Sequence, residues 1–343
     1  MPVDPREVRR ARISRWFSGA AVALLLIVVG ELVWIGFDGS RQAVEVSDRS
    51  GNCQTPASAY HWDYDAINYP KGDDSVLDRF ADRLHCASQG TIAGAELTAG
   101  DGTRIAGWLV QSGRKPASAT PVVILAHDHG ANKSDLLAWA ALLHDDYNLV
   151  LFDFRAHGQS GGGKSTLGVN ERMDLRAVID WVAAGQHPSQ IAVLGIGMGA
   201  AAAVGEAAGD ARVTALILDS THATVANALA ARLSRDGYRL ALPGSWAILL
   251  GGLLRTGEDM SAADPLQAIT AYGPRPLLLI SGGQDDAIGR SDAQDLLAAS
   301  RRGGAEAALQ ICDAAGHDES VSACPDAYAR GVREFLAHAF TTS

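Results

Sequence analysis

From residue 121 onward, six short apolar runs alternate with helix-like segments, and this alternation constrains the fold more than any other feature of the chain. The runs are 121–126, 148–154, 191–194, 213–218, 276–280 and 307–311. The helical patterns lie near 134–145, 169–184, 199–208, 291–302 and 326–339. Nearly continuous apolar strands separated by helices predict a mostly parallel sheet covered on both faces, an α/β fold. Sites in such sheets form beyond the carboxyl ends of the strands. A turn signal at Asp101-Gly102, between segments 95–98 and 105–110, predicts a hairpin ahead of the first run.

The run ending at Leu194 leads into Gly195-Ile196-Gly197-Met198-Gly199, followed by a small-residue helix. Strand, tight turn and helix in that order are the context of a nucleophile elbow, which reads Gly-x-Ser-x-Gly in serine hydrolases. Here the central position is Gly197. Glycine tolerates the strained backbone of such a turn but has no atom with which to attack. Loss of a serine nucleophile costs about 10⁶ in kcat in subtilisin.

The net charge is −10, and no basic block occurs in the second half of the chain, which argues against nucleic-acid binding. The clustered cations are Arg6, Arg9, Arg10, Arg12 and Arg15, directly before an apolar stretch at 16–38. A stretch of that length can cross a bilayer core of ~30 Å. The arginine flank predicts residues 1–15 in the cytoplasm and the rest outside it, in the periplasm or at the cell surface. No small-x-small cleavage site follows, so an uncleaved single-pass anchor is expected rather than a signal peptide. Residues 39–90 read as an extracytoplasmic stalk or cap, and 91–343 as the main domain. Within it, 221–273 is an insertion whose apolar part is broken by Pro243, Gly244, Gly251 and Gly252. It reads as a lid or second membrane contact, or as a helix on the sheet edge.

Four cysteines in an exported domain suggest disulfides. Proximity favours Cys53–Cys86 and Cys312–Cys324 among the three pairings that four cysteines allow. The second pairing would close a loop carrying His317.

Five blocks together resemble the α/β-hydrolase superfamily over about residues 91–340, in particular membrane-anchored prolyl-oligopeptidase-like and esterase-like members. They are 122–130, ending in His127-Asp128-His129-Gly130; 152–161; Leu218-Asp219-Ser220; 281–286; and Gly316-His317. The resemblance implies hydrolysis of esters or peptides, with Asp285 as acid and His317 as base. It implies backbone N–H groups of His129 and Met198 as the oxyanion hole. In a shifted register, His129-Gly130 is the pair and Ala131 supplies the first N–H.

Two positions depart from the family pattern: Gly197, and Asp128 where glycine is usual. A carboxylate pointing into the hole would oppose a developing oxyanion. The expected function is therefore ligand or partner binding on a hydrolase fold that has lost ordinary triad catalysis, the ligand being a small molecule or an acyl or peptide group. The alternatives are an active hydrolase using a displaced serine (Ser160, Ser220 or Ser281) or a water activated by His317, and a structural membrane protein with no occupied pocket. Ser160 lies in a literal Gly-x-Ser-x-Gly at 158–162, but in a loop with no helix directly after it. Asp219 is an alternative acid. His127, Asp128 and His129, with Asp153, His157 or Asp285, match no specific zinc spacing, so neither metal nor cofactor is expected.

Overall fold

A computed structural model describes residues 5–46, 51–67, 97–113 and 120–342. Its eight strands are β1 (Asp65–Ile67), β2 (Gly107–Val110), β3 (Val122–Ala126), β4 (Asn148–Phe152), β5 (Ile191–Ile196), β6 (Val213–Asp219), β7 (Pro276–Gly282) and β8 (Glu306–Cys312). The main helices are α1 (Pro5–Val44), α2 (Leu137–Leu143), α3 (Glu171–Gly185), α4 (Met198–Ala207), α5 (Val225–Arg235), α6 (Ala241–Thr256), α7 (Arg290–Arg302) and α8 (Pro325–Thr342).

The strands form one sheet in the order β1-β2-β4-β3-β5-β6-β7-β8. β3 to β8 run parallel, and β1 and β2 add an antiparallel edge. The fold is thus the α/β-hydrolase arrangement, a mostly parallel sheet with helices on both faces. β3, β4 and β5 are buried along their whole length, which explains why their sequences are continuously apolar instead of alternating. One face packs on α3, α4 and α7 through Leu175, Val178, Ala203 and Leu296. The other packs on α2 and α8 through Leu137, Ala140, Val332 and Leu336. Burying the second face on α8 places the C-terminal helix within the core.

The chain passes from β3 outward to β4 and then returns to β5 on the other side of β3. That reversal opens a crevice at the carboxyl ends of β3 and β5, the place where open α/β sheets bind ligands. Asp128 follows β3 and Gly197 follows β5, so both lie at its floor.

The Asp101-Gly102 turn forms, with Gly102 N–H bonded to Ala99 O at 2.8 Å and Gly102 at φ +86°. Of the expected hairpin only the Thr98–Arg104 bridge is seen beside it, and β2 starts at Gly107. Residues 91–96 and Cys86 lie outside the described residues, and with Cys86 the Cys53 pairing. The Cys312–Cys324 disulfide is present, with Cα atoms 6.1 Å apart.

Two features lie in segments read from sequence as non-core. Asp65–Ile67, within the expected stalk and cap, joins the sheet as edge strand β1. The 221–273 insertion contributes α5 and α6, and α6 lies along the C-terminal half of α1. Close approach there depends on missing side chains. A Cβ on Gly36 would come 2.9 Å from Ala247 O, and one on Gly251 would reach Gly36 O and Ser40. α1 contains one segment, Ser18–Val44, long and apolar enough to cross a membrane. Its 27 residues span about 40 Å at 1.5 Å per residue.

Candidate functional site

Gly197 is the residue directly before helix α4, with φ +53° and ψ −115°. That backbone is a sharp strand-to-helix reversal in the left-handed half of φ, where an L side chain is strained. The flanking glycines serve contact. A Cβ on Gly195 would come 2.6 Å from Gly199 O, and one on Gly199 would meet the carbonyls of Ala126 and His127 at the end of β3. The elbow is therefore packed directly against the loop that carries Asp128.

The position of Asp128 accounts for Gly197. A Cβ built on Gly197 would overlap the Asp128 carboxylate. The carboxylate fills the volume that a side chain at the elbow would need. Its Oδ1 accepts the Met198 N–H at 2.5 Å, and the carboxylate also takes the His129 N–H. These are the two donors that the resemblance implied for an oxyanion hole, in the first of the two registers. A fixed anion of the protein itself now occupies them.

Asp128 Oδ2 lies 3.6 Å from His317 Nε2, an ion-pair separation. On the other side of the ring, Nδ1 meets Asp285 Oδ2 at 2.9 Å. The Asp285 turn holds itself, because Oδ1 accepts the N–H groups of Ala287 at 2.9 Å and Ile288 at 2.8 Å. It is zipped to the histidine loop by Gly283 N–H to Cys312 O at 2.7 Å and Gln284 N–H to Ala315 O at 2.8 Å. The Cys312–Cys324 disulfide closes that loop. Hence the order carboxylate, imidazole, elbow is built, with a second carboxylate standing at the elbow.

A third carboxylate, Asp318, brings Oδ2 to 3.6 Å from His317 Nε2. Asp318 has φ +57°, which aspartate tolerates better than most residues, and its N–H is held by Ser220 Oγ at 3.1 Å. The charges interact strongly. Burial disfavours the imidazolium, but Asp128, Asp285 and Asp318 outweigh it and push His317 up to about 11. Burial also opposes charge on Asp128, yet His317 and the two N–H donors hold it well below the usual carboxylate range. Asp318, desolvated and facing other carboxylates, is pushed well above that range.

The other residues singled out from sequence are buried or hydrogen-bonded in the surrounding structure. Ser160 Oγ donates to Asp153 O at 2.5 Å and accepts the Ala106 N–H at 2.9 Å, tying a loop to the entrance of β2. Ser281 is buried, its hydroxyl near Gly282 O. Ser220, also buried, bonds Asp219 and Asp318. Asp219 is buried beneath the Tyr328 hydroxyl, which donates to it at 2.9 Å. Asp153 pairs with Lys133 in the interior. His127 is buried between Asp128 O and the Phe154 N–H, and the His129 ring reaches Ala43 O at the end of α1. The set His127, His129, Asp153 and His157 therefore does not converge on a common point with Asp128. Sequence reasoning missed Asp318, although its place directly after His317 was a usable signal. It also missed His222, which is 8% exposed and interacts electrostatically with Asp128 and His317.

No family model matches the chain. It is 30% identical over 220 residues to the uncharacterized protein YfhR of Escherichia coli O157:H7, covering 60% of this chain and 68% of that one. It is also 30% identical over 229 residues to the uncharacterized protein YqkD of Bacillus subtilis (strain 168), covering 64% and 72%. Among solved structures, the Pyrococcus furiosus esterase Pf2001 superposes with a TM-score of 0.65 at 21% identity, covering 87% of this chain and 98% of that one. By sequence the chain belongs to the family of YfhR and YqkD, and by sheet order, helix placement and structural neighbours it has the α/β-hydrolase fold.

Proposed function

We propose that this is a membrane-anchored α/β-hydrolase-fold protein that does not perform serine-type hydrolysis and acts through ligand binding at the crevice beyond β3 and β5. One observation carries the reading: the Asp128 carboxylate fills the space of an elbow side chain while accepting the Met198 N–H. Acyl transfer needs a nucleophile at the elbow and free donors for the oxyanion. The chain has glycine in the first place and its own anion in the second. These two departures are complementary, since a carboxylate fits over the elbow only if residue 197 carries no side chain.

A fluorophosphonate probe tests this on the full chain. The unmodified protein should remain unlabelled, and the double variant Asp128→Gly/Gly197→Ser should label in a manner that depends on His317. Labelling or ester turnover by the unmodified protein, abolished by His317→Ala, would overturn the reading.

The anchor is α1. Its apolar N-terminal part is exposed, and the exposure continues onto α6, where Trp246 is 57% and Leu254 79% exposed. Both surfaces suit lipid better than water. With arginines ahead of the span, the N-terminus is placed in the cytoplasm and the sheet domain outside it. Protease added to intact cells with a permeabilised outer layer should digest the main domain and spare an N-terminal tag. The reverse pattern would refute this orientation.

A further inference from the structure

Asp128 Oδ2, His317 Nε2 and Asp318 Oδ2 face one another, all within 4.8 Å. They come from two loops, the first after β3 and the second after β8. Both Nε2–carboxylate separations are 3.6 Å. Ligand atoms around a tetrahedral ion with bonds of about 2.1 Å stand about 3.4 Å apart. Each carboxylate thus needs to close on Nε2 by only a few tenths of an ångström, and the two carboxylates lie within 4.8 Å of each other.

The surroundings are those of a built metal ligand. His317 Nδ1 faces Asp285 Oδ2 at 2.9 Å, and Asp285 is anchored by the N–H groups of Ala287 and Ile288. An acceptor at Nδ1 keeps one ring proton there, so that a metal would bind at Nε2 in exchange for the Nε2 proton, the carboxylate–histidine–metal arrangement. Asp128 is likewise oriented, its Oδ1 held by Met198 N–H so that Oδ2 turns toward His317.

Independent observations point to an occupant. His222, 8% exposed, stands close enough to Asp128 and His317 to feel both charges, and its Nε2 has no hydrogen-bond partner among the described residues. Asp318 Oδ1 is buried and equally without a partner. Buried polar atoms rarely go unmatched. A cation with its bound water would supply what both lack, and would offset the excess of carboxylates over imidazole.

We propose that Asp128, His317 and Asp318 bind one divalent first-row cation, with Asp285 as the positioning residue. A donor set of one imidazole and two carboxylates suits Zn²⁺ or Mn²⁺ better than the all-oxygen preference of Mg²⁺ or Ca²⁺. The inference rests on the preceding reading only in that Asp128, and no serine, faces His317.

The test uses the full chain in detergent, purified through a tag without histidine and stripped with a chelator. Zn²⁺ and Mn²⁺ are titrated calorimetrically, and bound metal is counted by mass spectrometry after dialysis. One equivalent is expected. Asp318→Asn and Asp128→Asn should each weaken binding at least as much as Asp285→Asn, for which about 10–100-fold is expected. Circular dichroism melts check that each variant is folded, and His317→Gln serves if an aspartate variant is not. No saturable binding, or equal affinity in the folded variants, would overturn the proposal. Fluorophosphonate labelling is scored separately, so an absent metal with an unlabelled protein sinks this inference alone. A labelled unmodified protein sinks the reading of the elbow.

Discussion

At residue 197 a backbone requirement and a packing requirement coincide. The positive φ favours glycine, and the adjacent carboxylate excludes any other residue. Serine alone should therefore not restore an elbow. Gly197→Ser is expected to stay unlabelled by a fluorophosphonate and to lower the melting temperature, because overlap with Asp128 must be relieved by displacing a carboxylate that two N–H groups hold. Adding Asp128→Gly should restore both stability and labelling. If the single variant labels fully, Asp128 is not the obstacle. Gly197 and Asp128 were each visible in the sequence as departures. That they are one feature was not, because their contact joins residues far apart in the chain across the ends of two parallel strands.

Among the elements, the loop after β8 shows how a short segment is made rigid enough to present a side chain. Backbone bonds from Gly283 and Gln284 hold it on one side, and the Cys312–Cys324 bridge closes it at a separation of 12 residues. Chain-entropy reasoning assigns such a bridge about 3 kcal/mol. The Cys312→Ser/Cys324→Ser variant is expected to lose about that much in denaturant unfolding. Loss well under 1 kcal/mol would mean that the backbone bonds alone fix the loop. The six parallel strands, most helices and this bridge were legible from apolar runs and cysteine spacing, whereas β1 was not. The partner of α1 was not. The α6 sequence reads as a broken apolar run, and its glycines acquire meaning only where Gly36 and Gly251 let two backbones meet.

For the molecule as a whole, the sheet carries a buried acid that should mark its stability profile. Burial pushes Asp219 up to about 6, against hydrogen bonds from Tyr328 and Ser220 that favour its charge. Between its ordinary value of 3.8 and about 6, the folded chain keeps a proton that the unfolded chain has released. Stability from this group is therefore full below 3.8 and is lost as pH rises through about 6. Asp219→Asn, which keeps an acceptor for Tyr328, should flatten the pH dependence of denaturant unfolding in that window. An unchanged slope would show that Asp219 titrates normally.

What the sequence determined by itself was local and periodic. Apolar runs specified strands, the glycine-spaced turn specified the reversal into α4, and the arginine-flanked apolar stretch specified a long exposed helix. These follow from backbone sterics and from the transfer of side chains out of water, and both act over a few residues. The site was decided by tertiary structure. Only the return of the chain across β3 sets Asp128 over Gly197, and only the zipped turns after β7 and β8 bring Asp285, His317 and Asp318 to it. Charges and volumes interact through space. A carboxylate that reads as a lone oddity in the sequence therefore becomes, in the fold, the group that fills the elbow and meets the imidazole.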